Sequence, residues 1–304
     1  MLIHILYMHD VIIFAKKNEL KKLAYYLSVP WLYLVAILPF PLLYLLSDFV
    51  KIILFDLVGY RKKVILSNLR ASFPEKSDTE IKIIANKFYH NFTDMLLECI
   101  KMLTISTDEL DKHFVITNPE ILEHYYAKNK GVIGIVGHMI NWELAIFAGT
   151  KASSKDMIVI YKTLANEYFD KLVLNMRSRF GTVMVPMKST LRTLVKYHGK
   201  PYTLVLAGDQ YPGKGDGIYK TTFLNQETYV FKGAENTSKK FDNAVVFFDL
   251  RRVKRGCYTI TYTPLVEDAK NTSDGEITEL HVRCLEKAIL ETPDTWLWSH
   301  RRWK

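Results

Sequence analysis

The sequence predicts an α/β fold: a mostly parallel or mixed central sheet flanked by helices, behind an N-terminal hydrophobic helical segment that anchors the chain to a membrane. Three observations carry this reading. Beyond residue 130, short β-branched runs alternate with helix-like runs, as in a sheet whose strands are joined through helices. Ahead of them, residues 23–46 (LAYYLSVPWLYLVAILPFPLLYLL) contain no charge. Between them, the run Gly131-Val132-Ile133-Gly134-Ile135-Val136-Gly137-His138-Met139-Ile140-Asn141-Trp142-Glu143 ends a strand in glycine, presents a histidine and opens a helix carrying a glutamate.

As one helix the uncharged run would be roughly 36 Å long, enough to cross a bilayer core. Pro39 and Pro41 should break or kink it, and Pro30 interrupts it further. From Leu42 to Val58 the pattern turns amphipathic, with Ser47, Asp48, Lys51 and Asp56 set among Leu45, Leu46, Phe49, Ile52, Ile53 and Phe55. That suits a helix lying in the interface. Basic residues flank both sides (Lys16, Lys17, Lys21 and Lys22; Arg61, Lys62 and Lys63), so charge asymmetry does not orient the segment. His4, His9 and Asp10 in the first apolar stretch argue against a cleavable signal peptide. The anchor is read as integral or deeply embedded and monotopic. The expected division is residues 1–58 for the anchor and 59–304 for the α/β domain.

Ser77 to Met102 reads as an amphipathic helix, with Ile81, Ile84, Ala85, Phe88 and Phe92 at three- and four-residue steps. The predicted strands are Val132–Val136, Met157–Tyr161, Val183–Pro186, Tyr202–Ala207, Ala244–Leu250 and Tyr258–Tyr262. The predicted helices are Trp142–Gly149, Asn166–Phe180, Thr190–His198 and Glu276–Glu291. Gly213 to Gly217 reads as a loop.

With 304 residues, core size is no obstacle. Apolar residues make up 49% and aromatic residues 13%, a balance that suggests membrane contact, and the formal charge of +9 favours an acidic partner. No zinc-finger, helix-turn-helix or RNA-binding signature supports nucleic acid. Cys99, Cys257 and Cys284 are odd in number and widely spaced, which excludes a disulfide framework and a cysteine zinc site. Gly208 to Gly215 matches a phosphate-binding loop until Gly215 stands where Ser or Thr would hold magnesium, and Pro212 disfavours the nest of amides.

His138 and Glu143 are a minimal kit for deprotonating a hydroxyl. Five residues apart on one helix, they would diverge by roughly 140°. They can pair only with His138 on the loop and Glu143 in the first helical turn, with Asn141 as N-cap. The alternative is a carboxylate complementing the helix dipole beside a polar loop histidine.

Further segments complete a pattern. Tyr60-Arg61-Lys62-Lys63-Val64 with Asn68-Leu69 and Phe73-Pro74-Glu75 follows the anchor. Then come Arg177-Ser178-Arg179-Phe180-Gly181, Leu206-Ala207-Gly208-Asp209-Gln210 and the tail Trp296-Leu297-Trp298-Ser299-His300-Arg301-Arg302-Trp303-Lys304. With His138-x4-Glu143, these blocks in order resemble the lipid A biosynthesis (late) acyltransferases, within the glycerolipid acyltransferase superfamily, from about residue 23 to the end.

The resemblance implies transfer of a fatty acyl group from acyl carrier protein to a hydroxyl of an anionic lipid A precursor. It also implies the bacterial inner membrane, with the catalytic domain facing the cytoplasm. No cofactor or metal is expected, since the donor is itself a phosphopantetheine thioester. A lysophospholipid or aminolipid acyltransferase with the same chemistry is the alternative, and a non-catalytic membrane-binding protein a third reading. His138 is expected as general base and Glu143 as the group that holds its tautomer. Amides near 141–143 are candidate donors to the developing oxyanion. Arg177, which aligns with a required arginine of the family, and Arg179 are candidates for the phosphate or phosphopantetheine, with Arg177 preferred. Asp209, at the carboxyl end of a strand, is expected to orient Arg177 or another group that touches substrate. The tail is read either as an aromatic-basic cluster for the lipid interface or as tryptophans packed on the core with the charges solvated. Phe223 is read as an ordinary buried aromatic, with the acyl channel as its second reading.

Overall fold

A computed structural model describes residues 2–212 and 217–303, the side chains from residue 19 onward. Gly213 to Asp216, within the expected loop, and Lys304 lie outside the described residues. The N-terminal segment forms α1 (Leu2–Ala36) and α2 (Phe40–Lys51), and a π-helical stretch, Ile52–Leu57, continues α2. Pro39 stands at the N-cap of α2 and Pro41 in its first turn, where a missing N–H is harmless. The uncharged run is therefore two helices that break at 37–39, ahead of Pro39 and Pro41 as expected, whereas Pro30 lies inside α1 and does not end it. Among the described residues no helix is long and apolar enough to cross a membrane.

Next come α3 (Lys62–Ser72) and α4 (Asp78–Lys101), then α5 (Thr107–His113), β1 (Phe114–Ile116) and α6 (Glu120–Ala127). A capping box opens α4, where Ser77 and Glu80 satisfy each other's orphan amides. The α/β alternation follows as β2 (Val132–Val136), α7 (Trp142–Ala152), β3 (Met157–Tyr161), α8 (Glu167–Arg177), β4 (Val183–Pro186), α9 (Thr190–Lys196) and β5 (Thr203–Ala207). A hairpin of β6 (Ile218–Phe223) and β7 (Gln226–Phe231) precedes α10 (Gly233–Phe241), β8 (Ala244–Lys254), β9 (Cys257–Val266) and α11 (Glu276–Glu291). The hairpin and β1 are absent from the sequence-based expectation.

Seven strands form one sheet in the order β1-β9-β8-β2-β5-β3-β4. All pairs are parallel except β8 with β9. Along β2, Val132 and Val136 face one core with Leu144, Phe147 and Trp296, whereas Ile133 and Ile135 face another with Ala234 and Ile277. A strand buried on both faces explains why β2 reads as a continuous apolar run. At Gly134 an added Cβ would lie 2.5 Å from the Phe248 ring, so only glycine lets that ring pack across the strand.

Leu43 and Phe55 are fully buried in the same core as β2 and α7, so the segment before residue 58 shares its packing with the α/β domain. Its outer face stays apolar. Leu23, Leu27, Trp31 and Leu34 of α1 are exposed, as are Leu42, Leu45 and Phe49 of α2.

Candidate active site

β2 and β5 are parallel neighbours near the centre of the sheet, with Val136 in register with Ala207. The chains leave both strands at the same end, and two residues on each reach His138 and Asp209. The side chains meet there. His138 Nδ1 lies 2.5 Å from Asp209 Oδ1, and the His138 backbone N–H donates to Asp209 Oδ2 at 2.7 Å. Trp296 Nε1–H donates to the same Oδ2 at 2.7 Å. The imidazole is 17% exposed and the Asp209 side chain 1%, so the ring has one open edge and its partner none.

Here the structure corrects the expected pairing. Glu143 does not hold the His138 tautomer; Asp209 does. Glu143, in the first turn of α7, instead accepts two bonds from Arg177 at the end of α8: Nε–H to Oε2 at 2.8 Å and Nη2–H to Oε1 at 2.5 Å. Asp209 orients His138 rather than Arg177. The dyad was visible in principle. In a parallel pair, residues equally far past a register pair lie side by side, and 138 and 209 are each two beyond it.

Burial pulls the His138 imidazolium down, but the Asp209 charge and hydrogen bond, with the Glu143 charge, raise its pKa above the usual 6.5. Burial likewise opposes ionisation of Asp209. The His138 charge, its two bonds and the Trp296 donor outweigh it and hold the carboxyl at about 2. Asp209 is thus an anion at neutral pH, and Nδ1 carries the proton it receives. That leaves Nε2 with a lone pair. Gln210, next in the chain after Asp209, places Nε2 of its amide 3.3 Å from that atom. The Trp142 ring stands edge-on to the imidazole, with centroids 4.8 Å apart. Neither Gln210 nor Trp296 was a predicted site residue.

The histidine loop is held from the tail. Ile140 N–H donates to the Thr295 carbonyl at 2.8 Å, Leu297 N–H donates to the His138 carbonyl at 3.0 Å, and Met139 bridges to Trp296. Ile140 takes φ +41°, a conformation a β-branched residue adopts only under constraint. Asn141 is the expected N-cap, its Oδ1 accepting the Leu144 amide at 2.9 Å. That cap and the Asn141 carbonyl serve Leu144 and Ala145, leaving the Trp142 and Glu143 amides outside the intrahelical ladder.

Of the tail's two readings, the core reading holds for the tryptophans, but its solvated charges do not extend to Arg302, which is buried with them. Trp296 is 2% exposed, and Trp298 and Arg302 are fully buried. Trp298 Nε1–H donates to the Pro293 carbonyl, and Asn68 Nδ2 donates to the Trp298 and His300 carbonyls. Arg302 donates to Thr228 Oγ1 and the Tyr229 carbonyl and lies over the buried Phe223 ring. Burial lowers its pKa to about 10, with the Asp209 charge opposing.

Arg179 does not reach the site. The helix expected to run to Phe180 ends at Arg177, and Arg179 beyond it donates to the carbonyls of Met102 and Ile105, in the connection between α4 and α5. Its guanidinium satisfies orphan carbonyls. Among the described residues no group of three or more His, Cys, Asp or Glu is placed to hold a metal ion.

Residues 13–304 match the family described as bacterial lipid A biosynthesis acyltransferase. Similar proteins include the lipid A biosynthesis palmitoleoyltransferase of Escherichia coli (strain K12), 22% identical over 279 residues that cover 91% of this chain and 89% of the relative. The lipid A biosynthesis lauroyltransferase of the same strain is 23% identical over 281 residues, covering 92% and 90%. A lipid A biosynthesis acyltransferase of Haemophilus influenzae is 23% identical over 252 residues, covering 81% and 79%. The match spans most of the N-terminal apolar helices, the dyad and the tail that clamps it, and the chain belongs to the bacterial lipid A biosynthesis acyltransferase family and is an acyltransferase.

Proposed function

We propose that the chain moves a fatty acyl group from an acyl carrier protein thioester to a hydroxyl of a lipid A precursor, with His138 as general base. The observation that carries the chemistry is the His138–Asp209 dyad with Nε2 at its open edge. An alcohol is a poor nucleophile at neutral pH. Nε2 removes its proton as the oxygen attacks the thioester carbon; the tetrahedral intermediate then collapses, and the departing sulfur takes that proton from Nε2 to leave as a thiol. No enzyme nucleophile is needed. Asp209 fixes the tautomer, and the charges of Asp209 and Glu143 both favour the imidazolium formed on the way. The Trp142 and Glu143 amides are the proposed donors to the oxyanion.

Arg177 is the proposed anion contact. Glu143 takes its Nε and one terminal nitrogen, which fixes the guanidinium plane and leaves the other terminal nitrogen for a phosphate of acceptor or donor. The exposed apolar face of α1 and α2 supports seating at the cytoplasmic face of the inner membrane, by lying in the interface rather than spanning. The net charge of +9 suits an anionic acceptor surface and an acidic carrier protein.

The test is an assay of the full chain in detergent with defined acyl carrier protein thioesters and two acceptors, a lipid A precursor and a lysophospholipid. Label on the precursor is expected. Transfer to the lysophospholipid alone would refute the acceptor, and release of free fatty acid alone would refute transfer.

A further inference from the structure

Behind the α7 N-terminus lies a carboxylate that the reaction as described does not use. Glu98 on α4 is fully buried, and every polar contact it makes is received from a donor. Tyr44 Oη–H donates to Oε1 at 2.7 Å. The Tyr258 hydroxyl sits between both oxygens at 2.8 and 2.9 Å. Asn141 Nδ2–H donates to Oε2 at 2.8 Å. Asn141 is itself fully buried, and its other amide atom, Oδ1, caps the Leu144 amide. The two bonds fix the amide's orientation: oxygen to the helix, nitrogen to Glu98. Glu143, which pairs with Arg177 beside His138, follows Asn141 by two residues.

We propose that Glu98 is a positioning residue for acyl transfer: through Asn141 it sets the start of α7, and through Tyr44 it ties that start to α2, one of the two helices with an exposed apolar face. The proposal rests on the reaction assigned above, but its geometry can be read without that reaction. The chemistry makes a reversible prediction. In Glu98→Gln the amide can present its oxygen to the two tyrosines, yet its NH2 then faces the Asn141 NH2. Asn141 must either turn, withdrawing the cap from Leu144, or leave two buried donors opposed. Asn141→Asp alone places two buried carboxylates in contact. Combining the substitutions reverses the donor: the introduced glutamine donates to one aspartate oxygen, and the other oxygen still caps Leu144.

The experiment uses the full-length protein in four forms: wild type, Glu98→Gln, Asn141→Asp and the double variant. A fifth form, Tyr202→Phe, removes a buried hydrogen bond to Asn243 at the far end of the sheet as a control for general destabilisation. Each single variant is expected to lose at least roughly tenfold in kcat with KM for the acceptor unchanged, and the double variant to recover to within about threefold of wild type. Hydrogen exchange over residues 141–146 should quicken in Glu98→Gln and return to wild-type protection in the double variant. The proposal is overturned if Glu98→Gln loses no more kcat than Tyr202→Phe, if the double variant fails to recover, or if exchange at 141–146 is unchanged. Should the wild type transfer no acyl group, the assigned reaction fails, and exchange alone then decides whether Glu98 sets the helix start.

Discussion

Replacing Asp209 by asparagine separates the dyad from its rival, the Glu143 pairing, because the structure dictates how the new amide must sit. Asp209 accepts three hydrogen bonds, two converging on Oδ2 from the His138 amide and Trp296 Nε1, one on Oδ1 from His138 Nδ1. Asparagine has one oxygen. Turning its NH2 toward the first pair would oppose two buried donors, each costing about 1–3 kcal/mol. Turning it toward Nδ1 opposes a single donor, and the imidazole relieves that clash by moving its proton to Nε2. The amide therefore faces the ring, and Nε2, now protonated, cannot take a proton from the acceptor. The expected loss is roughly 10³–10⁴-fold in kcat, the scale seen when a triad histidine is held in the wrong tautomer. The loss of a charge-assisted bond should also lower stability by about 1.5–3 kcal/mol. Initial rates with a saturating acyl carrier protein thioester, alongside thermal unfolding, measure both. A folded Asp209→Asn protein with kcat within tenfold of wild type would refute the assignment of Asp209 as the group that orients the base.

The same geometry makes further predictions. The acid limb of the kcat/KM profile should have its midpoint above pH 6.5, since the base must be neutral and its pKa is raised; activity therefore falls as pH drops through that value. Glu143→Gln should shift the limb toward lower pH, because it removes one of the charges holding the imidazolium, and an unmoved limb would contradict that role. Arg177→Lys cannot reproduce the two-pronged contact with Glu143, and a drop in kcat/KM on the order of tenfold is expected in the same rate assay. Exchanging exposed Leu23, Leu27, Trp31 and Leu34 for serine should release the protein from anionic vesicles in a flotation assay with little change in Tm, because none of the four is buried. Deleting residues 1–58 would be a poorer probe, since it also removes buried Leu43 and Phe55 from the shared core.

What could be read in advance followed from local rules. β2, β3 and β4 match the predicted spans because each is a short β-branched run bounded by loop residues. Ser77 and Asn141 cap their helices as their side chains allow. The β6–β7 hairpin escaped because its turn, Leu224-Asn225, takes positive φ at both positions without the Asn-Gly signature that advertises such a turn. His138, Glu143, Arg177 and Asp209 are each singled out by the sequence but paired differently in the fold, while Gln210 and Trp296 are missed and Arg179 lies elsewhere. A contact between residues 138 and 209 is a property of sheet register, whereas the five-residue step to Glu143 is visible along the chain. The tail's composition fitted a lipid interface equally well; only the buried indole donors, one of them spent on Asp209, place it in the core.

The most direct measurement is the rate of acyl transfer by His138→Ala in the full-length protein, compared with wild type at the pH of maximal activity. The account predicts a loss at least as large as that of Asp209→Asn, on the order of 10³-fold or more, with the protein still folded, because the acceptor hydroxyl then has no base. Transfer by His138→Ala at the wild-type rate would contradict it.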